Sequence, residues 1–529
     1  MERKNSLKKA VAAGLTVAFL GSMAACSGGS AGGGGSAGSG GQSAAKQSGP
    51  TEITIAIWDA DKAFGKEDTV LEAIEKKLNI KIKPENVTWD DYTQKIQLWA
   101  SSGSLPDVFS GDFRNSTTFG QWANQGVVKE IPENLQKYPT LEKYLKSLGE
   151  EGKLNGKLYC IPRKTYNSQE WTAMDREIVY RWDLAKKAGI TKEPENWKEF
   201  SDMIKTIIQK DPDKTGIKGL TSNDKNLLSS MFLPYASPIA CDGQKWEKDK
   251  DGTYKPAYFI EDVSAAFQLA RDMYDSGVIE KDIALTTNQS SRDKFLQGKS
   301  AALLIAGGYG ADNYSNVAKY WKGVHKTEYT DDVKALNLMP DKNGNKSYPV
   351  WGYAWSESYI NAGVNDEKLD KILSLYDYLL TDEGAFLSTY GPEGDLWNMV
   401  DGKVKLKDPN AVVSDKYPST GALGTLVRWI PNPYDDRFPS ANPPIYNDVN
   451  RKIVEQAKTV KIPEYNPKCF QIVLQDEINF TISPQDDFLV IMTGKKPVKD
   501  MWETTVNQYK QKGLDNMIKQ VNEELSKEK

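Results

Sequence analysis

Aromatic and charged residues occur close together at several points of this sequence, and their types suit ligand contact better than catalysis. Indole and phenol rings offer a flat apolar face and a hydrogen-bonding tip. Carboxylates and guanidinium groups fix polar edges, and Arg can hold a carboxylate with two hydrogen bonds. Binding pockets combine a mostly apolar lining with a few such polar groups. The candidate ligand-binding residues are Trp58, Asp59, Asp112, Arg163, Tyr166, Trp171, Tyr309, Trp351, Tyr353, Trp355, Glu357, Trp397, Arg428 and Trp429.

Histidine chemistry is almost absent from the chain. Its 529 residues include one histidine, His325, against 14 Trp, 25 Tyr and 15 Phe. One histidine almost rules out a Ser-His-Asp enzyme, a Cys-His enzyme and a multi-histidine zinc site. The formal net charge of −4 disfavours nucleic acid as the main partner, because phosphate binding needs a basic face. We expect no catalytic residues and no cofactor.

Strands and helices alternate in the first part of the sequence. The residue patterns predict strands at 53–58, 80–87 and 105–109, with helices at 70–78 and 90–101 between them. This alternation favours an α/β fold with a mostly parallel sheet. Ligands of such sheets bind beyond the carboxyl ends of the strands. The rule points to Trp58-Asp59 and to the segment 110–112.

The N-terminal residues predict export from the cytoplasm and a lipid anchor. A basic start, an apolar run of 12 residues and small residues before Cys26 are typical of a signal peptide over 1–25. Cys26 is the expected lipidation site, because a cysteine at the first mature position resembles a bacterial lipobox. Residues 26–50 then form a Gly/Ser-rich tether, with Gly or Ser at 16 of the 24 positions after Cys26. The alternative is ordinary secretion with a chance cysteine.

Motifs along the body resemble one known family. The segments 100–109, 156–162, 181–190 and 295–303 occur in the order found in extracellular solute-binding proteins, family 1, the carbohydrate-capturing subunits of ABC importers. The segments 390–394 and 492–497 are similar to those of the large oligosaccharide binders of Gram-positive bacteria. The resemblance covers roughly 51–529.

This resemblance implies a two-lobed, periplasmic-binding-protein-like α/β fold of type II, in which a ligand cleft lies between lobes joined by crossing hinge segments. The N-terminal lobe would comprise 51–160 and 356–425, and the C-terminal lobe 161–355 and 426–529. The crossings would lie near 159–162 and 349–360. In the second crossing, Trp351, Tyr353 and Trp355 have the spacing of one strand face, so we expect them to form one aromatic surface.

The resemblance further implies a monomeric capture protein that stays outside the cytoplasmic membrane on its lipid anchor. It would hold an oligosaccharide and pass it to ABC permease subunits, without binding nucleic acid. A secreted glycoside hydrolase is the first alternative, since sequence alone does not exclude two carboxylates in a cleft. A binder of another solute on the same scaffold is the second, because fold does not fix ligand.

One loop resembles the start of a calcium site that some members of the subgroup carry. Asp211, Asp213 and Thr215 stand at alternate positions, but position 12 of the loop is Ser222 instead of an acid. We therefore expect no bound metal. The remaining cysteines, Cys160, Cys241 and Cys469, are odd in number and match no metal spacing, so we expect buried thiols.

Overall fold

The structure is a computed structural model. It describes residues 49–88, 91–114, 116–222, 224–243, 245–260, 262–307, 314–352, 354–408, 411–428, 444–472, 474 and 481–527. Within these ranges no helix is both long enough and apolar enough to span a bilayer.

A five-stranded sheet, here called the first sheet, organises the N-terminal part of the chain. Its order is β2-β1-β3-β13-β6, in which β1 pairs in parallel with β2 and β3, while β13 is antiparallel to β3 and β6. Buried Ile and Val side chains on both faces explain why these residues form inner strands. The strands are β1 (Thr51–Trp58), β2 (Ile80–Val87), β3 (Val108–Gly111), β6 (Ile161–Lys164) and β13 (Ala354–Ile360).

A second, four-stranded sheet has the order β12-β7-β11-β8 and its own apolar core, to which Ile178, Phe200 and Leu304 belong. Its central strands pair antiparallel, and β11 pairs in parallel with β8. The strands are β7 (Arg176–Arg181), β8 (Lys218–Ser222), β11 (Ser300–Ala306) and β12 (Val333–Ala335). Three two-stranded hairpins complete the strands: β4 (Lys153–Leu154) with β5 (Lys157–Leu158), β9 (Trp246–Lys248) with β10 (Tyr254–Pro256), and β14 (Trp397–Val400) with β15 (Lys403–Leu406).

Helices follow most of the strands along the chain. The first group is α1 (Ala60–Phe64), α2 (Thr69–Leu78), α3 (Tyr92–Ser102), α4 (Thr117–Asn124) and α5 (Pro139–Ser147). The second group is α6 (Trp182–Lys187), α7 (Trp197–Lys210), α8 (Leu227–Phe232), α9 (Ala257–Ile260), α10 (Ser264–Asp275), α11 (Asn288–Leu296), α12 (Lys319–His325) and α13 (Tyr329–Asp332).

Beyond β13 the chain is largely helical. The helices are α14 (Asp366–Leu380), α15 (Asp382–Tyr390), α16 (Val413–Lys416), α17 (Thr420–Leu423), α18 (Pro444–Ala457), α19 (Lys468–Gln471), α20 (Pro484–Thr493), α21 (Val498–Gln511) and α22 (Leu514–Lys527). Residues of α14 and α17 belong to the core of the first sheet, and residues of α20 and α21 to that of the second.

Most of the predicted early elements are confirmed, with shifted ends. The first two strands and α2 lie where the patterns predict them, and Gly103 ends α3 in the left-handed conformation. The third strand begins at Val108 instead of 105, and the Asp107 carboxylate directly before it accepts hydrogen bonds from the backbone and side chain of Thr54 on β1. The three cysteines are buried free thiols, as predicted.

The division into lobes at 160/161 and 355/356 stays a prediction. The two sheets have separate cores, and both β6 and β13 pair within the first sheet although they adjoin the predicted crossings. The chain thus leaves the first sheet after Lys164 and returns to it at Ala354.

Candidate functional site

The carboxyl edge of the first sheet brings several candidate residues together. Trp58 is the last residue of β1, and β3 ends at Gly111, next to it in the sheet. Glu357 of β13 pairs with Gly111, and Pro162 of β6 pairs with Glu357. Sequence positions about 300 residues apart therefore meet at one edge.

A β-bulge at this edge sets the direction of Trp355. Between the pairs Ala354–Lys164 and Glu357–Pro162, strand β13 has two residues where β6 has only Arg163. Ser356 in the bulge has φ 56°, a left-handed conformation that is uncommon for residues other than glycine. Such a bulge interrupts the alternation of side chains and redirects one of them.

The expectation of one aromatic surface over 351–355 is therefore wrong. The strand begins only at Ala354, and the bulge breaks the period of two directly after it. Trp351 packs against the core of the second sheet, whereas Trp355 packs against the core of the first. The two rings belong to different hydrophobic clusters.

Arg163 supports the bulge from the neighbouring strand. Its guanidinium donates hydrogen bonds to Ser356 Oγ and to the backbone oxygen of Thr425, and its Nε lies 3.4 Å from the backbone oxygen of Trp355. The residue is 2% exposed, and this burial lowers the pKa of the guanidinium to about 10. Arg163 is thus directed at the protein's own backbone.

Trp58 and Trp355 form a stack beside this arginine. Their ring centroids are 5.8 Å apart with planes 11° from parallel, and the Arg163 guanidinium carbon lies 5.3 Å from each centroid. Cation–π attraction at this distance favours the observed arrangement. Trp58 is 6% exposed, whereas Trp355 is half-buried. Trp355 is therefore the ring of this stack that presents more surface to solvent.

Asp112 places a carboxylate next to Trp355. It follows β3 directly and is exposed to solvent, while protein surrounds its other sides. This partial burial raises the pKa of its carboxyl. The charges of Arg114 and Arg163 and a hydrogen bond from the Trp355 indole oppose the rise. A flat ring and a hydrogen-bond acceptor thus lie side by side.

Glu357 holds the loop that carries Asp112. Its Oε1 accepts the backbone N–H groups of Phe113 and Arg114 at 2.7 and 2.9 Å and the Tyr359 hydroxyl at 2.6 Å. The residue is 1% exposed. Burial, followed by the charge of Asp112, raises the pKa of the Glu357 carboxyl to about 7. The prediction that Glu357 touches ligand is untested; here its carboxylate faces the protein.

Arg114 extends this network toward the segment before β13. Its Nη2 donates a hydrogen bond of 2.7 Å to the backbone oxygen of Ala354, and its guanidinium forms an ion pair with Glu151. A Cβ added at Gly352 would lie 2.7 Å from Glu151 Oε1, so a larger residue there would force the Glu151 side chain to shift. The Asp112 loop is therefore connected to the chain that returns from the second sheet.

Three other candidates lie around a second arginine. The Arg176 guanidinium carbon lies 5.4 Å from the Trp351 ring, and Arg176 pairs with Asp175, which also accepts the Tyr166 hydroxyl. Tyr166 is 9% exposed, and Trp171 packs against the same small cluster. This group is built on elements that precede and enter the second sheet.

Asp59, Trp397 and Arg428 have roles within the protein in this structure. Asp59 precedes α1 and pairs with Lys62 at 2.8 Å. Trp397 is 3% exposed and donates its indole N–H to the Gly391 oxygen, in a cluster of its own. Arg428 donates to the backbone oxygens of Leu379 and Ala385, across α14 and α15. Ligand contact by these three residues stays a prediction.

Four predicted residues lie outside the described ranges: Cys26, Tyr309, Tyr353 and Trp429. In contrast, the sequence reasoning missed Tyr92, whose ring packs edge-on against Trp58 at 5.4 Å. Tyr92 begins α3, just after the carboxyl end of β2. The rule that selected Trp58 and Asp112 would have selected it too.

The loop that resembles a calcium site uses its carboxylates internally. The Asp211 oxygens accept the backbone N–H groups of Thr215 at 3.0 Å and Gly216 at 2.9 Å, and Asp213 pairs with Lys187 at 2.7 Å. In the described part of the chain, no three His, Cys, Asp or Glu side chains cluster as metal ligands would. The expectation of no metal stays open to experiment.

Comparison with known proteins identifies the relatives of the chain. The family profile of bacterial extracellular solute-binding proteins matches residues 69–394. The polygalacturonan/rhamnogalacturonan-binding protein YtcQ of Bacillus subtilis is 24% identical over 63% of this chain and 64% of its own length, and the B. subtilis lipoprotein LipO is 22% identical over the same shares. The chain thus spans less than two thirds of the length of these two relatives.

Two further comparisons concern longer stretches. A carbohydrate ABC transporter substrate-binding protein of Streptococcus pneumoniae is 24% identical over 81% of this chain and 80% of its own length. The S. pneumoniae substrate-binding protein FusA, solved with kestose, superposes with a TM-score of 0.67 at 15% identity, over 91% of this chain and 100% of FusA. The predicted two-lobed α/β fold is confirmed.

We expect Glu357→Gln to alter the pH dependence of stability. In wild type the folded carboxyl keeps its proton up to about pH 7, whereas the unfolded one loses it near its ordinary pKa of 4.5. Raising the pH through this window therefore lowers the free energy of unfolding. Glutamine keeps the acceptor for the two N–H groups and removes the titration.

Denaturant unfolding between pH 5 and 8 measures this effect. The variant should lose less stability with rising pH than wild type, and the exposed Glu503→Gln on α21 should follow wild type. Curves for Glu357→Gln and wild type that stay parallel across the window would contradict the prediction.

We expect removal of divalent metal to leave thermal stability unchanged. Backbone N–H groups and Lys187 already occupy the Asp211 and Asp213 carboxylates. The melting temperature of the purified protein should be equal in EDTA and in millimolar calcium. A clear rise with calcium that is lost in Asp211→Asn would show a metal site.

Proposed function

The chain belongs to the family of bacterial extracellular solute-binding proteins, and on this premise we propose that it captures an oligosaccharide outside the cytoplasm and delivers it to ABC permease subunits. The observation that carries the proposal is the half-buried Trp355 ring with the exposed Asp112 carboxylate bonded to its indole. Carbohydrate binding among the relatives supports the ligand class.

The chemistry of this pair suits a sugar. The C–H face of a pyranose or furanose ring can lie on the indole, while its hydroxyls donate to the carboxylate. Trp58 and Arg163 stabilise the ring from the protein side, so little side-chain freedom is lost when ligand arrives. Tyr166, Trp171 and Trp351 would contribute from the second sheet.

Binding would involve closure of the two lobes. We take 51–160 with 356–425 as the N-terminal lobe and 161–355 with 426–529 as the C-terminal lobe. The segments that leave β6 after Lys164 and enter β13 at Ala354 lie within a few residues of these boundaries and would serve as the hinges. A ligand shifts this equilibrium toward the closed state only through contacts made in that state, which requires residues from both lobes.

Binding without turnover is part of the proposal. Asp112 and Glu357 are neighbouring carboxylates, and a raised pKa of about 7 at Glu357 is the kind of shift that suits a general acid. However, Glu357 lies behind the Asp112 loop, with Oε1 engaged by three internal donors. A carboxyl in this position cannot reach a glycosidic oxygen, so the hydrolase alternative is disfavoured.

The first test compares two tryptophans of the same stack. A panel of oligosaccharides in a thermal-shift assay first identifies a ligand, since a ligand at 100 times its Kd stabilises by about 2.7 kcal/mol. Trp355→Ala should then weaken affinity by about 1–3 kcal/mol, by analogy with bases stacked on aromatic side chains. Buried Trp58→Ala should instead cost about 3–5 kcal/mol of folding free energy.

Trp246→Ala is the matched control, because this ring is buried in a separate cluster and is no candidate for ligand contact. It should lower the melting temperature and leave affinity near wild type. Calorimetric titration of all three variants measures the affinities. An affinity for Trp355→Ala equal to that of wild type would remove the ring from the binding site.

The second test concerns the anchor that we propose at Cys26, with 1–25 as signal peptide and 26–50 as tether. The lipoprotein among the relatives supports an anchored form. Cys26→Ser should release the protein into the medium or leave the precursor unprocessed, as measured by cell fractionation and mass. A variant that fractionates and is processed like wild type would contradict lipidation.

A further inference from the structure

We propose that this site selects neutral oligosaccharides and rejects uronic acid residues at the Trp355 position. The inference rests on the proposed function and names the charge class of its ligand. It follows from the charged groups around the stack of Trp58 and Trp355 and from which of them face solvent.

Arg163, the buried cation at the stack, makes hydrogen bonds within the protein. Arg163 is 2% exposed, and all three of its nitrogens face protein oxygens, those of Ser356, Thr425 and Trp355. A bidentate grip on a uronate carboxylate needs two N–H groups of one guanidinium. Three of its five N–H groups make these contacts, and the burial of the side chain limits the access of a ligand carboxylate to the other two.

Three other cations on the described elements that carry the candidate residues are paired with carboxylates. Arg114 is 8% exposed and pairs with Glu151. Lys62 pairs with Asp59, and Arg176, on the side of the second sheet, pairs with Asp175. A carboxylate brought to Trp355 could pair with one of these three cations only in competition with its internal carboxylate.

The outward group beside Trp355 is itself a carboxylate. Asp112 is exposed, and an ionised carboxylate only accepts hydrogen bonds. A sugar hydroxyl can donate to it, whereas a uronate oxygen at the same place can only repel it. Desolvation raises the pKa of the Asp112 carboxyl against the opposing charges of Arg114 and Arg163. The site therefore favours donors and disfavours anions.

This property would separate the chain from its relative YtcQ, whose name records binding of polygalacturonan and rhamnogalacturonan. Shared ancestry accounts for the scaffold of the two proteins. The residues that face outward at the stack would decide the charge of the sugar.

Matched pairs of sugars test the inference at pH 7.5 and low salt. We would titrate the whole mature protein with mannotriose and its trimannuronate counterpart, with cellotriose and its glucuronate counterpart, and with trigalacturonate as methyl ester and as free acid. For every pair in which binding is measurable, the neutral member should bind at least about tenfold more tightly, since like charges a few ångströms apart repel.

Asp112→Asn then separates charge from shape, because asparagine keeps one acceptor oxygen and loses the charge. The preference for the neutral member should shrink several-fold in this variant, while the exposed Glu503→Gln should keep the wild-type ratio. An unchanged ratio in Asp112→Asn would overturn the role given to Asp112.

The remaining outcomes distinguish the two proposals. A uronate that binds wild type as tightly as its neutral partner, or more tightly, overturns the charge inference and leaves oligosaccharide capture standing. Failure of neutral and acidic sugars alike to bind overturns oligosaccharide capture, and the inference with it.

Discussion

A buried guanidinium that donates hydrogen bonds to oxygens of the protein itself is the constraint on which the site depends. Arg163 is 2% exposed, and its hydrogen bonds run to neutral oxygens of Ser356, Thr425 and Trp355. A buried cation is tolerated only when its donors are satisfied. The chain meets this need by bulging β13 opposite Arg163 and by bringing the turn after α17 against it.

The position of Trp355 follows from that arrangement. The left-handed φ of Ser356 would be costly in an ordinary strand, and the hydrogen bond from Arg163 to its hydroxyl supports it. Trp355 then stacks on Trp58 and hydrogen-bonds Asp112, whose loop is held by Glu357. The Trp355 ring and the Asp112 carboxylate are thus brought together by β1, β3 and β13, which are far apart in sequence.

The sequence predicted those features that follow from local pattern. Trp58 and Asp112 were predicted because each lies at the carboxyl end of a strand that the residue pattern indicates. The bulge was not predictable, since its extra residue exists only relative to a strand nearly 200 residues earlier. The expected common face of Trp351 and Trp355 failed because the strand begins only at Ala354. The burial of Glu357 likewise depends on long-range pairing that spacing does not reveal.

A double-mutant cycle tests directly whether Arg163 acts on the ligand only through Trp355. Oligosaccharide affinity would be measured by calorimetry for wild type, Arg163→Met, Trp355→Ala and the double variant, using the neutral sugar that binds wild type most tightly. If Arg163 serves to position the ring, its replacement weakens binding in wild type and adds almost nothing once Trp355 is gone. Additive losses in the double variant would show that Arg163 meets the sugar itself and would contradict this account.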